Sequence, residues 1–113
     1  MAARQLQSTL ATESVRVDLR GKERQIALEI LAYLARHPDA KDSLRGIRSW
    51  WLGRPDKWSE DDVRRTAAAL VEGGALQSWE ASPGLMVFGP SREFLQYPGR
   101  FVHQFGLDRK HEK

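Results

Sequence analysis

Apolar residues recur with helical spacing from about Gly21 to His37, which predicts the first helix. On a helical wheel they form one broad arc: Ile26, Ala27, Ile30, Leu31, Tyr33 and Leu34. Leu28 falls at the edge of this arc or beyond it. Pro38 then ends the helix, because a residue that precedes proline disfavours the helical conformation. An arc this wide predicts contact with more than one neighbour, such as an N-terminal strand or a second subunit.

A second helix is predicted from Asp42 or Ser43, both good N-caps, to about Trp51. Its apolar residues share one face: Leu44, Ile47, Trp50 and Trp51. For the four tryptophans of the chain, at 50, 51, 58 and 79, we expect one of the first two to be partly exposed and the others to lie in the core. The alternative is that they include a platform on which bases stack. A turn with Gly53 and Pro55 follows.

The third helix has the clearest start in the chain. Ser59 is a natural N-cap, and Asp62 stands where a capping box places its acidic residue. Trp58 and Val63 occupy the two positions of a hydrophobic staple. The predicted buried stripe consists of Val63, Ala67, Leu70 and Val71, and Gly73-Gly74 ends the helix.

The pattern then changes to that of a β-hairpin, with strands from Leu76 to Ala81 and from Leu85 to Phe88 around a turn at 82–84. Alternation at Val15, Val17 and Leu19 predicts a further half-exposed strand. The segment 92–107 is too apolar for a solvated tail, and its role stays open between core packing and association. We expect disorder over 1–12, a single domain over 13–107 and a polar tail over 108–113.

Composition narrows the possible functions more than it selects one. A chain of 113 residues has room for one hydrophobic core. The absence of cysteine excludes disulfides, thiolate zinc sites and cysteine nucleophiles. No apolar run has the length of a signal peptide or of a membrane span, so we expect a cytoplasmic protein. The net charge of +3 is weak support for nucleic-acid binding, since placement matters more than total charge.

Two segments carry a resemblance to a known family: Ile30-Leu31-Ala32-Tyr33-Leu34, and the run from Val63-Arg64-Arg65-Thr66-Ala67 to Gly73-Gly74-Ala75-Leu76. The chain resembles the winged helix-turn-helix family over roughly 22–90, with Ala67 in place of the usual leucine. The resemblance implies an α+β fold in which three helices precede a two-stranded wing. The block 42–52 is similar to one in small uncharacterised bacterial proteins, so we expect a bacterial source. The connection 52–58 is longer than the family's usual turn, which leaves the angle between helices two and three open.

The family's usual mode of action implies that the third helix enters the major groove of double-stranded DNA. The candidate nucleic-acid contacts are six cations: Arg45, Arg48, Arg54, Lys57, Arg64 and Arg65. Arg54 and Lys57 would hold phosphates while Arg64 or Arg65 reads a base edge. The charges do not all favour this hypothesis: residues 59–75 carry a net −2, residues 38–58 a net +2, and Glu80 is the single charge in the hairpin.

The alternative hypothesis is a protein-interaction module that keeps the fold without a basic recognition surface. A homodimer through 92–107 and the wide face of the first helix is compatible with either. We expect no enzyme, no cofactor and no metal site. The histidines at 37, 103 and 111 are scattered, helix capping accounts for the acidic run 60–62, and no serine has a recognisable catalytic partner.

Overall fold

A computed structural model describes residues 19–107. The predicted strand residues Val15 and Val17, the expected disorder over 1–12 and the polar tail over 108–113 lie outside the described residues. The fold is α+β, as predicted. Its elements are α1 (Gly21–Arg36), α2 (Leu44–Gly46) with a following π-helical turn (Ile47–Trp51), a 3₁₀ turn (Pro55–Lys57), α3 (Glu60–Glu72), β1 (Leu76–Ser82), β2 (Leu85–Pro90), α4 (Arg92–Gln96) and α5 (Pro98–Gln104).

Helix α1 packs mainly against α3 and then against the π-helical turn. It ends where predicted, with the His37 N–H donating to the Tyr33 carbonyl at 2.8 Å just before Pro38. The arc is confirmed: its buried members are Ile26, Ala27, Ile30, Leu31 and Leu34. Tyr33 is half-buried and Leu28 is exposed, as its position at the edge of the arc indicates.

The second helix starts as predicted, because the Ser43 hydroxyl accepts a hydrogen bond from the Gly46 N–H at 3.2 Å. A side chain at Gly46 would overlap the Asp42 carboxylate and would have to displace it. The expected single apolar face is wrong in one respect. The last five residues form a π-helical turn, whose wider hydrogen-bonding ring shifts the positions that face inward. Trp51 is therefore buried, whereas Trp50 points to solvent.

Helix α3 confirms the predicted capping box. The Ser59 hydroxyl accepts from the Asp62 N–H at 3.0 Å, and the Asp62 carboxylate accepts from the Ser59 N–H at 3.3 Å. Trp58 and Val63 are both buried at the helix start, as a hydrophobic staple requires. Thr66 is buried as well, and its hydroxyl is satisfied by donating to the Asp62 carbonyl at 2.9 Å.

The two strands form an antiparallel hairpin in which Ser78 pairs with Phe88 and Trp79 with Val87. Gly84 adopts a φ of +82° in the turn, a conformation that favours glycine. Asp42 adds a single bridge to the outer edge of β2, where its N–H and carbonyl both bond to Phe88 at 3.0 and 2.7 Å. The chain before α2 thus pairs with the sheet.

The segment 92–107 packs on the core. Helices α4 and α5 and the residues that follow them bring four apolar side chains into the main cluster: Phe94, Phe101, Phe105 and Leu107. The Phe105 ring lies over Gly73, and the Gln104 amide donates to the Gly73 carbonyl at 2.9 Å. Leu19 belongs to the same core cluster, and its N–H donates to the Phe105 carbonyl at 3.2 Å. Phe94, Phe101 and Phe105 are therefore covered within one chain, whereas Leu95 and Tyr97 are 44% and 55% exposed, and a homodimer through this segment stays a prediction.

Candidate interaction surface between helix α3 and the hairpin

Arg65 is held by carboxylates from two helices. Its guanidinium donates to Glu23 of α1 at 3.1 Å, to Asp62 at 2.7 Å, and also to Asp61. Hydrogen bonding to Glu23 is the main reason why the pKa of Arg65 is raised, with Asp61 and Asp62 adding to it. The guanidinium is half exposed, but its charge is already balanced by neighbours within the same molecule.

Asp62 is the most buried of these carboxylates, with 9% of its side chain exposed. Hydrogen bonding to the Ser59 side chain, and then to the Ser59 backbone, lowers the pKa of Asp62 although burial opposes the shift. Lys22 and Arg65 lower the pKa of Asp62 further by their charge. This carboxylate is therefore ionised at neutral pH and belongs to the structure of the helix start.

Arg64 has a similar pairing on the solvent side of α3. Its guanidinium donates to Asp61 at 2.6 Å, with both side chains more than half exposed. Both cations of α3 are thus paired with acids of the helix itself. Exposed ion pairs of this kind are individually weak and add little to stability. Their main effect is to balance the positive charges of the helix.

The other four candidate cations are divided between structural and exposed positions. Arg48 is half-buried, and its Nε donates to the Trp58 carbonyl at 2.7 Å. Lys57 places its Nζ 4.9 Å from the centre of the Trp58 ring. Arg45 and Arg54 are exposed and make no ion pair within residues 19–107. All six stay predictions as nucleic-acid contacts.

A groove of about 580 Å³ lies between α2, the start of α3 and the hairpin, and we call it the hairpin groove. Nine residues line it: Ser43, Leu44, Arg45, Glu60, Arg64, Gly84, Leu85, Met86 and Phe88. Among the predicted cations, the fold brings Arg45 and Arg64 together here. The hairpin contributes no lysine or arginine, and its Glu80 carboxylate accepts the Gly84 N–H at 3.0 Å across the tip.

Leu85 and Met86 are the residues that the sequence analysis did not select. Each is 44% exposed, although both are large and apolar. The signal that could have found them is the run of four apolar residues from Leu85 to Phe88. A strand of a two-stranded sheet covered on one face cannot bury four consecutive side chains, because successive residues point to opposite faces. Some of them must remain exposed.

The described residues hold no group of three or more histidine or acidic side chains placed to bind a metal ion. Among the same residues, no helix combines the length and apolarity that crossing a membrane requires. Comparison of the chain with protein-family models, with curated protein sequences and with solved structures finds no match in any of the three.

Proposed function

We propose that the chain is a winged-helix protein-interaction module that binds a segment of another protein in the hairpin groove. The observation that carries this proposal is the exposure of Leu85 and Met86 beside the unpaired Arg45. An apolar surface next to a charge that makes no ion pair among the described residues is typical of a site completed by a partner.

The winged-helix assignment is supported by the order of the elements. Three helical segments precede the hairpin, and Asp42 joins the hairpin from the chain between α1 and α2. In this assignment α3 corresponds to the recognition helix and the hairpin to the wing. The function of such a fold is set by the surface of these two elements and not by the fold itself.

The charge on these elements favours a protein partner over DNA. Both cations of α3 are paired with carboxylates, and Glu60 and Asp61 remain exposed at the same helix start. A DNA backbone brought to this surface would meet those carboxylates, and it would gain few phosphate contacts from a hairpin without cations.

The groove also suits an extended main chain. Phe88 directs its N–H and carbonyl to Asp42 at the outer edge of β2, and groups two residues apart on a strand point the same way. The N–H and carbonyl of Met86 therefore point to this edge, where they have no backbone partner among the described residues. A strand added here would combine main-chain hydrogen bonds with apolar contacts.

The expected partner is thus an extended segment with apolar side chains and at least one carboxylate. Covering the exposed parts of Leu85 and Met86 contributes on the order of 1 kcal/mol each. Arg45 then provides a charge-assisted hydrogen bond to the carboxylate, which fixes the register.

Selection from a displayed library of random peptides tests this proposal on the full chain. The expected peptides combine apolar residues with Asp or Glu, and Met86→Asp or Leu85→Asp abolishes their binding. Arg45→Ala weakens acidic peptides more than their amide analogues. Trp50→Ala, which removes an exposed aromatic residue outside the groove, is the matched control and leaves binding unchanged. Selected peptides that bind Met86→Asp as well as the wild type, or a library that yields none, would overturn the proposal.

Nucleic-acid binding is the second candidate. The observation that favours it is the exposure of Arg45 on α2 and of Arg54 and Lys57 on the connection that leads into α3. On this hypothesis the three cations hold phosphates, and Arg64 or Arg65 exchanges its carboxylate partners for a base edge.

A further inference from the structure

A second surface, separate from the hairpin groove, is formed by α1 and the π-helical turn. Trp50 is 73% exposed there. Ala32, a small exposed residue of α1, lines the same surface. A groove of about 400 Å³ lies between them, lined by residues of α1 and by Trp50 to Gly53. It shares no residue with the hairpin groove.

The groove has a firm floor. The Tyr33 and Trp51 rings stack with their centres 5.3 Å apart and their planes 11° from parallel. The Glu29 carboxylate accepts the Gly53 N–H at 2.9 Å, which holds the end of the π-helical turn against α1. Trp50 is therefore presented on a fixed support, and covering its indole costs little conformational entropy.

The charges of this surface are arranged so that they attract the same surface on a second copy of the chain. Glu29 and Arg36 both line the groove, and each is equally far along α1 from the point between Ala32 and Tyr33. When two copies of α1 pack antiparallel about a two-fold axis at that point, Glu29 of one copy meets Arg36 of the other. Each lies about 5 Å from the axis along the helix. Arg36 is exposed and makes no ion pair within residues 19–107.

We infer that a second copy of this chain docks here, with α1 antiparallel to α1 and with Trp50 of each copy covered by the other. Ala32, at the centre, lets the two helices approach closely because its side chain is small. One oxygen of the Glu29 carboxylate is bound to Gly53, and the other is available to the guanidinium of the second copy. The interface leaves the hairpin groove free, so it goes beyond the proposed function and stands independently of it.

Sedimentation equilibrium of the full chain over a range of concentrations tests the dimer. The wild type is expected to dimerise, and Trp50→Ala to raise the dissociation constant about tenfold or more, as for a central aromatic residue of an interface. Because Trp50 is exposed, its removal leaves the core intact, and far-UV circular dichroism verifies the fold. Met86→Asp is the matched control and dimerises as the wild type does.

Exchange of the charges at Glu29 and Arg36 is the more specific test of the antiparallel arrangement. Glu29→Arg and Arg36→Glu each place like charges opposite one another and weaken the dimer. The double variant Glu29→Arg/Arg36→Glu restores the opposite pairs between copies, although it does not restore the Glu29–Gly53 hydrogen bond. A gain in dimer affinity from either single variant to the double variant is therefore specific to the antiparallel arrangement. A monomer at all concentrations, or a double variant no better than the singles, would overturn the inference.

Discussion

Glu23 of α1 accepts a hydrogen bond from Arg65 of α3 at 3.1 Å across 42 positions of the chain. The same guanidinium is also bound by Asp61 and Asp62, so three carboxylates surround one cation. This arrangement joins α1 to the start of α3, and it balances the charge of Arg65, one of the six cations predicted from the sequence as nucleic-acid contacts. Both cations of α3 are thus paired, and the most exposed large apolar side chains of the hairpin groove are Leu85 and Met86.

Ser59→Ala is expected to lower the free energy of unfolding by about 1 kcal/mol, because it removes the oxygen that accepts the Asp62 N–H. Urea denaturation measures the effect. Ser49→Ala removes an exposed hydroxyl on the π-helical turn and is the control, with an expected change within about 0.5 kcal/mol. Equal effects from the two substitutions would contradict a capping role for Ser59.

Asp62 is expected to make a contribution to the stability of the fold that depends on pH. Its pKa is lower in the folded chain than in the unfolded chain, because Ser59 hydrogen-bonds to the ionised form. The contribution is complete above the unfolded value of about 3.9 and is lost as the pH falls through the folded value. Urea midpoints measured from neutral pH down to acid should therefore show a smaller acid-induced loss for Asp62→Asn than for the wild type. Asp39→Asn, which removes an exposed carboxylate, should retain the full loss.

Substitution of Arg48 and substitution of Arg54 are expected to have different effects on the free energy of unfolding, although both residues are candidate nucleic-acid contacts. Arg48→Ala leaves the Trp58 carbonyl without its charged donor and should cost about 1.5 to 3 kcal/mol of unfolding free energy. Arg54→Ala removes an exposed side chain and should change it by no more than about 0.5 kcal/mol. Thermal or urea denaturation of the two variants checks this. A neutral Arg48→Ala would show that its hydrogen bond is replaced by solvent at no cost.

Gly73→Ala tests the packing of the C-terminal segment. A methyl group at Gly73 would overlap the Phe105 ring, so the substitution should destabilise the fold by about 1 to 3 kcal/mol. Gly99→Ala is the matched control, since nothing lies within 4 Å of its added methyl group and alanine favours the helix. A tolerated Gly73→Ala would mean that α5 does not press on the end of α3.

The sequence predicts the parts of this fold that depend on local chemistry. The periodicity of α1, the capping box at Ser59 and the glycine in the hairpin turn each determine an element through interactions between near neighbours. The π-helical turn was missed because residue spacing alone does not distinguish it from an α-helix. The bridge from Asp42 to Phe88 was also missed, since it joins residues 46 positions apart with no composition of its own.

The candidate surface was less predictable for the same reason. The six cations were selected by type and order in the chain, but the pairing of Arg65 with Glu23 and of Arg48 with Trp58 depends on tertiary contacts. The apolar run from Leu85 to Phe88 indicates that some of its side chains stay exposed, but only the three-dimensional arrangement shows that these are Leu85 and Met86, each 44% exposed. The packing of α4 and α5 likewise became clear only from the contacts of Phe94, Phe101 and Phe105.

The central claim is that this chain binds a protein partner and not DNA. Titration of the wild-type chain with a random-sequence DNA duplex at low salt tests this claim most directly. Because the cations of α3 are paired and the hairpin has none, we expect no binding at protein concentrations on the order of tens of micromolar. The contradicting result is saturable binding that weakens steeply with added salt and is reduced by Arg54→Ala and Lys57→Ala. Such a result would assign the cations that precede α3 to nucleic acid, and it would favour a DNA-binding function over a protein partner.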